Sequence, residues 1–86
     1  MLNFKQQELS ENLYNALKVR FPDIELVEIL ESPFGEADIW IRVVPPVDKE
    51  KRSEFSHIAA EMTTDILVDY GYGIAITYAR EPSATH

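Results

Sequence analysis

The sequence predicts a single small α+β domain in the order α-β-β-α-β, with a three-stranded mixed sheet and two helices packed on one face. Three observations predict it. Apolar residues recur at spacings of three and four in two long segments, they alternate or run together in three short ones, and the prolines and glycines sit between segments. With 86 residues the chain can build one hydrophobic core, because either half alone would fall below the size that folds without disulfides or metal.

The first helix spans Phe4 to Arg20. Leu9, Leu13, Ala16 and Leu17 recur at helical spacing among Lys, Gln, Glu and Asn. Pro22 ends it by disfavouring helical geometry in the residue before. Residues 24 to 30, IELVEIL, read as a strand with apolar side chains on both faces, which implies at least partial cover on both sides. After SPFGE the alternation is cleaner. Ala37, Ile39, Ile41 and Val43 point one way, toward the helices, and Asp38, Trp40 and Arg42 the other. Pro45 and Pro46 stop this strand because proline supplies no ladder donor.

Asp48 reads as the N-cap of a second helix running to about Tyr70. Its stripe is Phe55, Ile58, Ala59, Met62, Ile66 and Tyr70, and Gly71 suits the left-handed turn that closes a helix. Residues 73 to 79, GIAITYA, form the third strand, with Ile74, Ile76 and Tyr78 on one face. The last residues, EPSATH, are expected to fray. A hairpin followed by a helical crossover requires a mixed sheet.

Composition excludes several classes of function. Hydrophobic residues at 45% and charged residues at 27% describe a globular chain and not a disordered one. The absence of cysteine removes disulfides, thiolate zinc sites and a cysteine nucleophile, and fits a reducing compartment. The opening MLNFKQQELSEN lacks the apolar run of a secretory signal, and no stretch reaches the roughly 18 apolar residues of a membrane span. A soluble cytoplasmic protein without a membrane partner is the expectation. The net charge of -7, from 15 acidic and 8 basic side chains, opposes phosphate attraction and so argues against nucleic acid as partner. The basic cluster Lys49, Lys51 and Arg52 surrounds Glu50 and reads as a solvated face at a helix start.

The segments "ESPFGEADIWIRVV", "EFSHIAAEMTTDILVDYGYG" and "IAITYARE" resemble the nucleotidyltransferase superfamily that includes DNA polymerase β, over about two thirds of the chain. In small members a strand ends in Gly-Ser, a Gly-containing loop follows, and the next strand carries Asp-hydrophobic-Asp-hydrophobic. A helix ending near Tyr-Gly then leads into an apolar third strand. Two aspartates one residue apart share a strand face and together hold the magnesium of a nucleoside triphosphate. Here Asp38 stands at the first aspartate and Trp40 at the second, where an indole offers no ligand. Glu31 and Ser32 replace Gly-Ser, the loop is shorter than in active members, and the third strand carries no carboxylate.

The resemblance therefore implies a non-catalytic member with a vestigial Asp38, no resident cofactor and no metal site. Trp40, Val27, Ile29 and Arg42 are the candidate interaction residues, on a sheet face the helices leave open. The occupant expected there is a protein partner or a second copy in a homodimer. Small family members often work beside an all-helical HEPN protein in toxin and antitoxin pairs, so an antitoxin-like regulatory role is what the resemblance adds.

Three alternatives remain. Met1 to Phe4 or the C-terminal tail would fold over Trp40 within one chain. A residual transferase would use Asp38 with Glu31 or Glu36. A K-homology-like module shares the element order, but it needs a GxxG loop that this chain lacks. His57 and Glu61, four apart on the second helix, have the spacing of a metal pair and read as a solvated acidic face.

Overall fold

The computed structural model describes residues 2–32 and 38–79. The Gly-centred loop, with Glu36 and Ala37, lies outside these residues, as do Met1 and the C-terminal tail. The described residues follow the α-β-β-α-β order. Helix α1 spans Phe4–Arg20 and opens with a capping box, Asn3 Oδ1 accepting from the Gln6 amide at 2.8 Å while Gln6 Oε1 accepts from the Asn3 amide at 3.0 Å. Leu9, Leu13 and Leu17 of its stripe are buried, whereas Ala16 faces solvent. Ser10 is also buried, and its hydroxyl donates to the Gln6 carbonyl at 2.8 Å, so no polar group is left unpaired there. The chain leaves α1 through Phe21 and Pro22, where the Lys18 ammonium donates to the Ile24 carbonyl.

Strand β1 (Glu25–Glu31) pairs antiparallel with β2 (Ile39–Val44), and β2 pairs parallel with β3 (Ile74–Tyr78), giving the order β1-β2-β3. The parallel neighbour demands a crossover. Helix α2 (Lys49–Tyr70) provides it. Asp48 caps it by accepting from the Lys51 amide at 3.0 Å. Arg52 steadies the entry by donating to the carbonyls of Pro46 and Val47 at 3.2 and 2.9 Å. At the far end Gly71 takes φ 79° and ψ 11° and donates to the Leu67 carbonyl at 2.9 Å.

The core lies between the two helices and one face of the sheet. Ile39, Ile41 and Val43 are at most 1% exposed, as the alternation of β2 predicts. Phe55 joins the layers, with its ring edge-on to Phe21 at 5.3 Å and tilted against Tyr78 at 6.2 Å.

Strand β1 departs from its sequence reading. The expected partial cover is confined to the end of the strand, for β1 is an edge strand exposed from Glu25 to Glu28, with Ile29 and Leu30, on opposite faces, half-buried. Leu26 is 38% and Val27 49% exposed. The register shifts between Leu26 and Glu28, so Val27 is the extra residue of a β-bulge. Beyond it Glu28 opposes Arg42, Ile29 opposes Ile41 and Leu30 opposes Trp40. Ile29 thus belongs to the helix-packed face, where it touches the core. The placement of Ile29 beside Trp40, which strict alternation implies, is corrected by one inserted residue, while Val27 stays exposed next to the Glu28–Arg42 pair.

Candidate functional site

The outer face of the sheet is built from alternate residues of three strands. Cross-strand partners share a face, so Glu28 and Leu30 of β1 lie with Arg42 and Trp40 of β2 and with Thr77 and Ala75 of β3. Leu30, Ala75 and Thr77 are the members that sequence reading missed, since the bulge sets the place of Leu30 and pairing between strands far apart in the chain sets that of Ala75 and Thr77. Trp40 occupies the middle strand and is half-buried, in contrast to the fully buried Ile39 and Ile41 on either side. Arg42 donates to Glu28 across the bulge at 3.2 Å. Both side chains are well exposed, which keeps the pair to roughly 1 kcal/mol or less. The Thr77 hydroxyl oxygen is buried and has no hydrogen-bond partner.

Asp38 enters the fold as a clamp between strands. Its Oδ2 accepts from the Gly73 amide at 2.8 Å. Its own amide donates to the Gly73 carbonyl at 2.8 Å, and the next amide, that of Ile39, reaches the same carbonyl at 3.0 Å. The Ser32 amide donates to the Asp38 carbonyl at 3.2 Å and closes the described part of the hairpin. The carboxylate is therefore engaged in starting the parallel β2-β3 ladder. Among the described residues no three His, Asp or Glu side chains converge as metal ligands would. Glu36, the alternative ligand, is outside the described residues.

Two smaller features lie on the second helix. His57 Nε2 and Glu61 Oε2 are 3.7 Å apart with both side chains largely in solvent, at 76% and 67% exposure. They form an exposed i,i+4 pair without a third ligand among the described residues. In the basic cluster, Arg52 is committed to the Pro46–Val47 turn and the Lys51 amide to the Asp48 cap. Among the described residues no helix is long and apolar enough to cross a membrane. Compared with family models, curated proteins and solved structures, the chain matches none.

Proposed function

We propose that this domain is a non-catalytic binding module, a decayed relative of the nucleotidyltransferases, which presents the outer face of its sheet to a protein partner. The observation that carries the reading is the partition of β2. Ile39, Ile41 and Val43 are consumed by the core, while Trp40 and Arg42 stand on the side opposite the helices. Tryptophan and arginine are the residue types most enriched among those that dominate binding energy at interfaces. Leu30 and Ala75 flank the indole with apolar surface, which suits a contact that excludes water around a central aromatic.

The resemblance noted above supplies an ancestry for this reading, and an antitoxin-like task beside an all-helical partner is consistent with it. Transferase chemistry has less support. The single carboxylate of the motif already bonds Gly73, and its expected companion is an indole. A magnesium triphosphate usually needs one or two carboxylates free to coordinate. The net charge of -7 weighs against a nucleic-acid module.

The experiment places a photo-crosslinking amino acid at Ala75, beside the indole, and a control at Asn15 on the exposed side of α1, in the chain expressed in its native host. A discrete protein adduct is expected from position 75 alone, and Trp40→Ala in the same chain should abolish it. Crosslinking that is equal at both positions, or absent from both, removes the reading. Calorimetric titration with magnesium and ATP or CTP is expected to give no heat. Heat that disappears in Asp38→Asn would put a residual transferase in its place.

A further inference from the structure

The geometry points to a homodimer built through the open edge of the sheet, in which β3 pairs antiparallel with β3 of a second copy and the two α2 helices pack side by side above the join. The parallel ladder determines which backbone groups are available. The Gly73 carbonyl accepts from Ile39 and the Ala79 amide donates to Val43 at 2.7 Å. Alternation then turns Gly73, Ala75, Thr77 and Ala79 toward β2. Ile74, Ile76 and Tyr78 direct their N–H and C=O groups the other way, where β3 has no neighbour among the described residues. An antiparallel pair centred on Ile76 sets it against its counterpart and sets Ile74 against Tyr78.

The two edges of the sheet differ in how they are defended. Strand β1 carries Glu25, Glu28 and Glu31 and a bulge at Val27, the devices that discourage a sheet edge from pairing. Strand β3, IAITY, has no charge, proline or bulge. A groove runs along this edge, lined by Ala59, Ala60 and Thr63 of α2 and by Ile74 and Ile76 of β3. The middle of the helix and the middle of the strand thus share one groove, so a single twofold axis normal to the sheet serves both layers. Small side chains at Ser56, Ala60 and Thr63 let two helix backbones approach to about 8 Å.

The charge along α2 identifies the occupant as a second copy. Its first turn holds Lys49, Lys51 and Arg52 against the single acid Glu50, whereas its last three turns hold Glu61, Asp65 and Asp69 and the final turn has no basic residue. The helix's own dipole disfavours acids at that end. An antiparallel α2 from a second copy lays a basic first turn alongside the acidic last turns, and symmetry repeats the contact. This interface is separate from the outer face and stands or falls without it.

Sedimentation equilibrium on the full chain at micromolar concentration is expected to give twice the chain mass of 9.9 kDa. Ala60→Glu, on an exposed helical position, should keep the circular dichroism of the wild type and raise the dimer dissociation constant at least tenfold. Amide exchange supplies the second readout. Ile76 and Tyr78 should be protected in the wild type and lose protection in Ala60→Glu, while Thr77 and Ala79, bonded to β2, stay protected in both. A wild type that remains monomeric, or protection of Ile76 that survives in a monomeric variant, overturns the proposal. A dimer broken by Trp40→Ala and indifferent to Ala60→Glu overturns it as well, and assigns the contact to the outer face.

Discussion

One carboxylate oxygen of Asp38 holds the Gly73 amide, and the backbone of Asp38 holds the carbonyl of the same residue, so a single side chain aligns the first rungs of two strands 35 positions apart in the chain. Only an acceptor is required for this. Asparagine keeps one and alanine does not. Because Asp38 is exposed, water competes for the Gly73 amide and the net loss should sit near the ordinary value for one hydrogen bond, about 1 kcal/mol. Urea denaturation is expected to show Asp38→Ala destabilised by about that amount and Asp38→Asn within about 0.5 kcal/mol of wild type. Equal midpoints for Ala and wild type would mean that the bond adds nothing. The residue type and its strand position are visible in ADIWIRV, but the Gly73 amide is not, since no local pattern ties a carboxylate to a turn on the far side of a helix. Trp40 is the converse case. Its face follows from alternation alone, because β2 has no bulge and its buried neighbours Ile39 and Ile41 leave one orientation.

Elements whose signals are local follow their sequence reading closely. Asp48 and Gly71 bracket α2 because a cap depends on side-chain reach and backbone sign within one turn. Strand β1 failed the same reading because a bulge is a property of pairing. Leu26 and Ile29 both reach the helix-packed face, and Glu28 stays outside to meet Arg42, only if Val27 is left over. The C-cap can be tested in isolation. Gly71 sits at φ 79°, and a Cβ built there would meet nothing within 4 Å. The penalty of Gly71→Ala is therefore conformational and not steric, about 1 kcal/mol for a left-handed non-glycine residue. For a domain of this size that corresponds to roughly 4–8 °C in melting temperature. Asparagine tolerates the left-handed region better than alanine, so calorimetry should place Gly71→Asn between the two. Alanine matching wild type would show that the helix end relaxes to another geometry.

At the scale of the whole molecule the two proposed surfaces are orthogonal. Edge pairing of β3 would join the three strands of the described residues to those of a second copy without involving the outer face, so each dimer would carry two copies of the Trp40 surface in one plane. The sequence contains a single tryptophan, so indole fluorescence reports on that face and on nothing else. Acrylamide is the suitable quencher, being neutral, since a chain of net charge -7 would repel iodide for reasons unrelated to access. If the copies meet edge to edge, the quenching constant of wild type should equal that of the dissociated Ala60→Glu variant across the concentration range in which the dimer forms. A dimer through the outer face predicts the opposite, with quenching that falls as wild type associates and stays high in a variant that cannot. The comparison needs no knowledge of a partner. It separates one copy covering the indole of another from a face held open for a different protein, and a concentration-dependent loss of quenching would exclude the edge arrangement.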